Sequence, residues 1–352
     1  MLNWGVIGAG GIARVFCNGM RFSKTGRIAA IASRSQERAN ALADMFSVSK
    51  RYVGYDRLLA DGEIDAVYVC TINPAHLGCV IQAAQAGKHV LVEKPIGLNQ
   101  REAAAMIDAA AANDVFLMEA FMYRCHPQTQ KLAALVCEGT IGQVQMIRAV
   151  FSYHARFTPT SRAYAKELGG GGILDVGCYV ASMSRLLAGA ASGKPFLDPV
   201  QVKGSGVVGP TGVDHYAAAT LLFENDVVAE IATGVGCRLP FEVSVYGTEG
   251  MLSVPTPWLP STPCRSAREA LPLDTVFPPA TIVLHRYGEP GPSQIVVDVD
   301  RDLFTYEADS VAENIAQRQS PAMSWQDTLG NMRLLDRWRA EVGVVYEQDR
   351  GA

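Results

Sequence analysis

The sequence predicts an α/β protein, with a Rossmann-type doubly wound parallel sheet followed by an α+β domain that has a large open, mostly antiparallel sheet. Residues 1–120 alternate short apolar runs with amphipathic segments, which is typical of a parallel sheet with right-handed crossovers. A glycine-rich turn, Gly8–Ala13, follows the first apolar run. After Pro127, successive apolar runs are joined by links as short as Phe223–Val227, which favours antiparallel hairpins.

Residues 1–122 are predicted to form the dinucleotide-binding domain. Its expected strands are Leu2–Gly8, Arg27–Ser33, Asp65–Thr71, Lys88–Glu93 and Val115–Glu119. Its expected helices are Ile12–Met20, Ser35–Phe46, Ala75–Ala86 and Asn99–Asn113. Open α/β sheets bind ligands at the carboxyl ends of their strands, so residues that follow a strand are the candidates for a site.

Residues 123–352 are predicted to form a substrate-binding and oligomerisation domain. Its expected strands are Gly142–Arg156, Val200–Gly209, His215–Phe223, Val227–Val235, Phe241–Gly247, Met251–Val254, Ala280–His285 and Gln294–Val299. Its expected helices are Gln128–Glu138, Asp175–Leu187, Thr305–Gln317 and Ser324–Gly343. Residues 255–279 are rich in proline and are expected to form a long irregular loop. The helices within 305–343 are expected to pack back on the first domain.

Composition and charge exclude several classes of protein. Of 352 residues, 49% are hydrophobic and 19% charged, as in a globular protein. The net charge of −4 offers no general attraction for nucleic acid or a membrane. The longest apolar runs look too short to span a bilayer, and no signal peptide is visible before the first strand, so we expect neither a membrane span nor export. The eight cysteines include no C-x-x-C pair, which indicates a reducing cytoplasm and no structural metal.

The segment Gly8-Ala-Gly-Gly-Ile-Ala13 fits G-x-G-x-x-A and lies between the first strand and the first helix. The glycines permit a tight turn and a close approach of a pyrophosphate, and the helix N-terminus supplies amide donors. Glycines form turns in many proteins, so the position between strand and helix is what makes the motif specific. We therefore predict a dinucleotide cofactor held by Gly8, Gly10, Gly11 and Ile12.

The tip of the second strand favours NADP. An NAD-preferring site carries Asp or Glu about twenty residues after the glycine motif, but this strand ends Ile31-Ala-Ser-Arg-Ser35 without an acid. Arg34 can bind a 2′-phosphate while it stacks on adenine, and Ser33 and Ser35 can donate to the same phosphate. Arg38, in the helix that follows, is a further candidate. The alternative interpretation makes Ser35 a helix N-cap and Arg34 a solvated charge, so NAD use stays open.

Two further strand ends carry candidate cofactor ligands. One is the end of the strand Lys88–Glu93, which Pro95 terminates because proline cannot continue a β-ladder. The other follows the strand Asp65–Thr71. The candidates at these two ends are Glu93, Lys94, Thr71, Asn73 and His76. For His76, a surface position at a helix start is an equally good interpretation.

The segment Asp175-Val-Gly-Cys-Tyr179 opens a helix after the glycine run Gly169–Gly172. Its i, i+4 spacing places Asp175 and Tyr179 on one helical face. A tyrosine pKa near 10 is too high for easy proton exchange at neutral pH, and a nearby ammonium lowers it. We therefore predict that Lys94 lowers the pKa of Tyr179 and that Asp175 fixes the site. The alternative for Tyr179 is a half-buried aromatic side chain.

The segment Glu119–Pro127 leaves the first domain and supplies candidate substrate contacts. Its arginine and histidine can face a polyol, and its aromatic residues can form the wall of a cleft. The candidate substrate contacts are Phe121, Arg124, His126, Arg162 and Tyr179.

These motifs, from the glycine turn through Glu93-Lys94-Pro95 and Glu119–Pro127 to Gly169–Tyr179, resemble the Gfo/Idh/MocA oxidoreductase family across essentially the whole chain. The combination of Glu-Lys-Pro with Asp-x-Gly-x-Tyr is similar to the branch of glucose–fructose oxidoreductase, dimeric dihydrodiol dehydrogenase and NADP-dependent D-xylose dehydrogenase. The resemblance implies that Lys94 lies beside the nicotinamide, that Tyr179 is the acid/base residue and that a cis peptide precedes Pro95. It also implies a homodimer or homotetramer formed through the open sheet.

From the residues and the resemblance together, we expect an NADP-preferring dehydrogenase that acts on the CH–OH group of a cyclic sugar or polyol, such as D-xylose or D-glucose. The alternatives with the same residues are oxidation of a trans-dihydrodiol and reduction of a dicarbonyl or anhydro-sugar. A third hypothesis is a regulator that binds NADP and sugar without turnover. The intact set of Lys94, Tyr179 and Asp175 counts against that hypothesis.

Overall fold

The computed structural model describes residues 1–350, which build two β-sheets. The strands of the first sheet are β1 (Leu2–Ile7), β2 (Gly26–Ser33), β3 (Lys50–Val53), β4 (Ala66–Val69), β5 (His89–Glu93) and β6 (Leu117–Ala120). They pair in parallel in the order β3-β2-β1-β4-β5-β6, which confirms the predicted doubly wound sheet. The order reverses at β1 and β4, so a crevice lies at the carboxyl ends of these strands. Strand β3 was not predicted, because its four residues, Lys50-Arg-Tyr-Val53, begin with two cations and are too few to show an apolar pattern.

Helices cover both faces of this sheet. They are α1 (Gly11–Met20), α2 (Gln36–Met45), α3 (Asp56–Leu59), α4 (His76–Gln85) and α5 (Gln100–Ala112). Side-chain caps begin two of them: Ser35 accepts from the amide of Arg38 at 3.3 Å, and Asn99 accepts from the amide of Glu102 at 3.0 Å. In contrast, α1 follows Gly10 and has no side-chain cap, so its first amides remain available to a ligand.

The second sheet has eight strands: β7 (Val144–Ser152), β8 (Gln201–Val208), β9 (Asp214–Leu222), β10 (Val228–Gly234), β11 (Glu242–Gly247), β12 (Gly250–Ser253), β13 (Ala280–Arg286) and β14 (Ser293–Val297). Their order is β14-β13-β12-β11-β7-β10-β9-β8. Every neighbouring pair is antiparallel except β7 with β10, so the prediction of a mostly antiparallel sheet is confirmed.

The remaining helices connect the two domains. They are α6 (Met122–Cys125), α7 (Pro127–Cys137), α8 (Cys178–Ala190), α9 (Leu303–Glu313) and α10 (Trp325–Val342). The predicted domain boundary at residue 122 falls at the start of α6. Helix α9 packs on α1, where the hydroxyl of Thr305 donates to the carbonyl of Gly19 at 2.6 Å. Helix α10 packs on α5, where the amide of Gln100 donates to Asp336 at 2.9 Å.

One face of the second sheet is covered by helices, and the other is open. Helices α7 and α8 pack on the covered face. On the open face, residues directly opposite one another form an apolar row across five strands. The row consists of Leu222, Val228, Met146, Tyr246 and Met251. Met146 is 36% exposed and Leu222 37%, so this row presents apolar surface to its surroundings.

Two further properties bear on the predictions made from composition. The prediction that every apolar run is too short to span a bilayer is wrong for Lys166–Ala190, which is long and apolar enough by length and composition, but 94% of its most apolar window is buried inside the protein. The protein's own core therefore already covers that surface. Among residues 1–350, all eight cysteines are free, and no group of three or more His, Cys, Asp or Glu side chains is placed to hold a metal ion.

Candidate active site

The glycine turn between β1 and α1 forms one end of a large cavity. Gly8 has φ +117° and its Cβ, if present, would lie 2.7 Å from the carbonyl oxygen of Cys70, so only glycine fits there. A Cβ at Gly10 or Gly11 would meet no protein atom within 4 Å. Both glycines border the cavity, and they leave space in front of the helix N-terminus. This cradle fits the diphosphate of a dinucleotide.

The cavity has a volume of about 990 Å³ and lies between the two domains. The predicted site residues that line it are Gly8, Gly10, Gly11, Ile12, Ser33, Arg34, Arg38, Thr71, Asn73, Glu93, Lys94, Arg162, Asp175 and Tyr179. Most come from the ends of β1, β2, β4 and β5 and from the start of the helical segment that contains α8, while Arg38 lies in α2 and Arg162 in the loop after β7. The strand-end rule therefore brings together residues that lie far apart in sequence.

The end of β2 forms the part of the cavity suited to the adenosine half of a cofactor. Ser33, Arg34 and Ser35 lie at this strand tip, which carries no carboxylate. The hydroxyl of Ser35 caps α2, as the alternative interpretation proposed, and still borders the cavity. The charge of Arg34 acts on the neighbouring phenol of Tyr55, whose pKa is raised chiefly by burial. Arg34 and Arg38 therefore bring two cations to this end of the cavity.

Lys94 joins the end of β5 to the second domain. Its ammonium donates to the carbonyl oxygen of Asp175 at 2.7 Å and lies 3.3 Å from the Asp175 carboxylate. The ammonium also lies 5.1 Å from the centre of the Tyr179 ring. The peptide bond between Lys94 and Pro95 is cis. The lysine and the tyrosine, 85 residues apart by their numbers, thus converge on one cavity wall.

Asp175 is the most heavily hydrogen-bonded side chain of the site. Arg162 donates to both of its carboxylate oxygens, at 2.9 and 3.1 Å, and the hydroxyl of Tyr153 donates to one of them. Burial alone would raise the pKa of Asp175, but the charges of Lys94 and Arg162 and these hydrogen bonds hold the pKa well below its ordinary value. Asp175 is therefore a carboxylate at neutral pH.

The backbone at Asp175 differs from the predicted α-helix. Residues Ile173–Gly177 form a π-helical turn, and α8 begins only at Cys178. Asp175 and Tyr179 both border the cavity, but they do so from a π-turn followed by an α-helix. Single π-turns within helices are frequent at functional sites, because the extra residue redirects the side chains on either side.

The Tyr179 side chain is buried in an aromatic cluster. Its ring contacts those of Phe121, Tyr123, Phe151 and Trp258, with centroids 5.1 to 6.0 Å apart. Burial, followed by the charge of Glu93, raises the pKa of the phenol well above its ordinary value. The prediction that Lys94 lowers this pKa is wrong for this arrangement, because the ammonium is paired with Asp175. Tyr179 therefore holds its proton.

Glu93 borders the cavity beside Lys94 and carries a raised pKa. Burial is the main cause of the rise, and the charge of Lys94 and a hydrogen bond from the hydroxyl of Tyr68 oppose it. This carboxyl group anchors the end of β5 to the core of the first domain.

Four predicted site residues do not line the cavity, so the prediction that they contact cofactor or substrate is wrong. His76 is fully buried, and its Nδ1 lies 3.0 Å from the carbonyl oxygen of Pro95. Phe121 lies beneath Tyr179 and is 1% exposed. His126 caps α7, where its Nδ1 accepts from the amide of Gln128 at 3.1 Å. His76 and Phe121 thus support groups that border the cavity, whereas His126 has a local structural role at the start of α7.

Arg124, the fourth, is committed to a buried ion pair. It donates to Asp327 of α10 at 2.6 Å and to the hydroxyl of Ser182 at 2.8 Å. Arg185 pairs with the same carboxylate. A predicted substrate donor is thus a structural link between α6, α8 and α10.

Several cavity residues were not found from the sequence. They are Arg14, Tyr55, Met122, Phe151, Tyr153, Phe241, Leu259, Arg265 and Phe304. Tyr153 directly follows β7, but β7 belongs to the mostly antiparallel sheet, to which the strand-end rule does not apply, and the predicted strand Gly142–Arg156 extended past Tyr153. Leu259 and Arg265 lie in the irregular loop 255–279, where no pattern distinguishes one polar or apolar residue from its neighbours.

Comparisons with known proteins agree with this geometry. Residues 2–121 match the GFO/IDH/MocA oxidoreductase family with an NAD-binding Rossmann fold, and residues 129–253 match the GFO/IDH/MocA C-terminal domain. The trans-1,2-dihydrobenzene-1,2-diol dehydrogenase of Danio rerio is 33% identical over 99% of both chains. The enzyme of the same name from Xenopus tropicalis is 29% identical over 97% of this chain and 98% of its own.

A solved structure is similar over the same length. The 3-ketoreductase from Actinomadura kijaniata, in complex with NADP and TDP-benzene, has a TM-score of 0.81 and 25% identity. The alignment covers 97% of this chain and 98% of that chain. Both the domain order and the whole-chain fold are therefore shared with a protein that binds NADP.

The raised pKa of Tyr179 leads to a first prediction. Because burial favours the neutral phenol, Tyr179 should not ionise at or below pH 10, the ordinary value for tyrosine. The difference between the ultraviolet titration of the wild type and that of Tyr179→Phe should therefore show no ionisation step in that range. The same difference measured with Tyr287→Phe, a tyrosine that is 54% exposed, provides the control. A step near neutral pH assigned to Tyr179 would instead support the phenolate.

Proposed function

The chain belongs to the GFO/IDH/MocA family and is an NAD(P)-dependent oxidoreductase; from this premise, we propose that it interconverts a CH–OH group and a carbonyl on a cyclic diol or sugar, with NADP preferred. The observation that carries the proposal is the convergence of Lys94, Asp175 and Tyr179 on one wall of the interdomain cavity. The glycine cradle at the other end of the cavity supplies the cofactor site.

In this proposal the residues of the chain position groups and hold a proton, and the nicotinamide supplies the hydride chemistry when bound. In carbonyl reduction the neutral phenol of Tyr179 donates its proton to the substrate oxygen and becomes a phenolate; in alcohol oxidation that phenolate accepts the hydroxyl proton. Lys94 donates a hydrogen bond beside that oxygen. Asp175 fixes the ammonium of Lys94 through its carbonyl and its carboxylate. A neutral phenol makes Tyr179 ready to act as the acid, which favours reduction at neutral pH.

The second domain shapes the substrate end of the cavity. Phe151, Phe241 and Leu259 provide apolar surface, while Arg162 and Tyr153 present polar groups around Asp175. A ring with an apolar face and adjacent hydroxyl groups matches this combination. We place a trans-dihydrodiol first among the substrates, because relatives of that name align over nearly the whole chain. A cyclic aldose such as D-xylose or D-glucose is the second candidate, supported by the polar side with its half-exposed Arg162.

The preference for NADP rests on the strand tip at β2. Arg34 and Arg38 border the cavity where the 2′-phosphate of NADP would lie, and no carboxylate is present at the tip to bind the ribose diol of NAD. The 3-ketoreductase with the same fold binds NADP. A charge-assisted contact of this kind contributes about 1.5–3 kcal/mol, enough for a preference of about tenfold or more.

The open face of the second sheet is the proposed subunit interface. Its apolar row of Leu222, Val228, Met146, Tyr246 and Met251 crosses five strands. An exposed apolar band of this kind is typical of an interface between subunits. We propose that two copies bury the row against each other, as a homodimer or within a homotetramer.

Replacement of the two groups nearest the reacting oxygen tests the mechanism. Tyr179→Phe and Lys94→Met should each lower kcat by about 10²–10⁴-fold, since each removes a proton donor or an orienting charge. Turnover is followed by NADPH absorbance with a trans-dihydrodiol, D-xylose and D-glucose, and with the matching carbonyl compounds. Tyr287→Phe and Lys131→Met, both at exposed sites, are the matched controls.

Two outcomes would contradict this mechanism. Full activity of Tyr179→Phe, with an unchanged circular dichroism spectrum, would remove the phenol from the chemistry. Tight binding of NADPH by the wild type without turnover of any substrate in the panel would instead support the non-catalytic regulator.

Substitution at the β2 tip tests the cofactor preference. Arg34→Gln removes a cation from the proposed 2′-phosphate site, so the ratio of kcat/KM for NADP to that for NAD should fall about tenfold or more. Arg57→Gln, at an exposed position outside the cavity, should leave the ratio unchanged. If Arg34→Gln leaves the ratio of kcat/KM for NADP to that for NAD unchanged, any preference for NADP arises from groups other than Arg34.

Substitution on the apolar row tests the interface. Met146→Glu places a charge in the middle of the row, and burying an unpaired charge is strongly unfavourable. Sedimentation velocity should therefore show a shift from oligomer to monomer. Lys131→Glu, on α7 at the covered side of the sheet, should leave the oligomer intact. A wild type that is monomeric at all concentrations would refute the proposed interface.

A further inference from the structure

Residues 255–279, which we call the strap, link β12 to β13 and reach from the second domain to the first. The strap is irregular, as the sequence predicted, but it is fixed at several points. Trp258 is fully buried, and its indole donates to the carbonyl of Val150 on β7 at 2.9 Å. Further along, the hydroxyl of Thr262 donates to Asp302, the N-cap of α9, at 2.9 Å. The strap is therefore attached to β7 of the second sheet and to the start of α9 before it reaches α1.

The final anchor is Asn18 on α1. This side chain is fully buried under the strap. Its amide nitrogen donates to the carbonyl of Glu269 at 3.1 Å, and its amide oxygen accepts from the amide of Leu271 at 2.8 Å. Both contacts are to the backbone of the strap, so Asn18 fixes the position of the strap backbone independently of its side chains. The ring of Phe277 then packs on Phe22 with centroids 4.9 Å apart.

Arg265 lies between the Thr262 and Asn18 anchors and borders the cavity. Within residues 1–350, its guanidinium has no hydrogen bond or ion pair. Its charge reaches the catalytic end of the cavity, where it lowers the pKa of Glu93 and of Tyr179 against the larger effect of burial. The strap thus presents a cation without a partner to the space that the cofactor would occupy.

A second cation comes from α1 itself. Arg14 borders the cavity, and its Nε is buried without a partner among the described residues. Arg14 and Asn18 are four residues apart, so they lie on the same face of the helix. The helix that begins at the glycine cradle therefore carries both a cavity-facing guanidinium and the anchor of the strap that presents Arg265.

We propose that Arg265 binds the diphosphate of the dinucleotide from the second domain, opposite the donors of the first, and that Asn18 is a positioning residue that holds Arg265 there through the strap. The inference rests on the proposed function, because it requires a bound NADP. It extends that function in one respect: the second domain, and not only the first, contacts the cofactor directly. A diphosphate suits the site because guanidinium groups bind phosphate oxygens in a bidentate way.

The test measures binding of NADPH in the absence of any substrate. Arg265→Gln should weaken the Kd of the full-length protein for NADPH about tenfold, chiefly through faster dissociation, and should reduce its dependence on salt. Arg268→Gln is the matched control, since it lies three residues further along the same strap, is exposed and does not border the cavity. It should bind NADPH as the wild type does.

The role of Asn18 is tested by a double-mutant cycle. Asn18→Ala should weaken NADPH binding, and the loss should not add to that of Arg265→Gln, because both act on the same contact. Fully additive losses would show that Asn18 acts independently of Arg265. If Asn18→Ala does not fold, Arg265→Gln still decides the main claim.

The outcomes separate the two proposals. Failure of the wild type to bind either NADPH or NADH would refute the proposed function as a whole. Normal NADPH binding by Arg265→Gln, with a raised KM for the substrate alone, would assign Arg265 to an anionic group of the substrate and overturn the present inference. Normal binding and normal kinetics would assign Arg265 no role in the site.

Discussion

The arrangement of the cavity depends on one buried charge, the carboxylate of Asp175. A carboxylate that is 4% exposed is stable only when it is paired and hydrogen-bonded. Its partners come from three separate parts of the chain: Lys94 from the end of β5, Tyr153 from the end of β7, and Arg162 from the loop before α8. The requirement to satisfy this charge therefore fixes the first domain against the second at the point where the chemistry is proposed to take place.

The same requirement explains the protonation of Tyr179. Lys94 is close enough to act on the phenol, yet its ammonium already compensates Asp175, and the ring lies in an aromatic cluster that disfavours a phenolate. A lysine beside a tyrosine is usually expected to lower the pKa of the phenol, but this expectation leaves out the carboxylate of Asp175, which pairs with the lysine. In this site the three side chains are one electrostatic unit, and the protonation of Tyr179 depends on all of them.

The sequence predicted the elements that local patterns determine. The alternation of strands and helices, the glycine turn, the strand tip at Ser33–Ser35 and the end of β5 are all short-range features, and the structure places them as expected. The failures have a common cause. From its local sequence Arg124 resembles a substrate donor, but its guanidinium is paired with Asp327, which lies 203 residues later in the chain. The strap residue Arg265 has no recognisable pattern because its position is set by anchors on α1 and α9. Burial and pairing across such distances cannot be obtained from periodicity.

Helices α9 and α10 follow the second sheet in the chain, yet they cover α1 and α5 of the first domain. Trp325 even donates to the carbonyl of Leu117 on β6. The nucleotide-binding half therefore emerges during synthesis, at about 5–20 residues per second, well before the helices that complete its surface. Its apolar flanks remain uncovered while nearly two hundred further residues are added by the ribosome. The earliest part of the polypeptide therefore completes its surface only when the latest part arrives, and this topology leaves apolar surface exposed to aggregation during that interval.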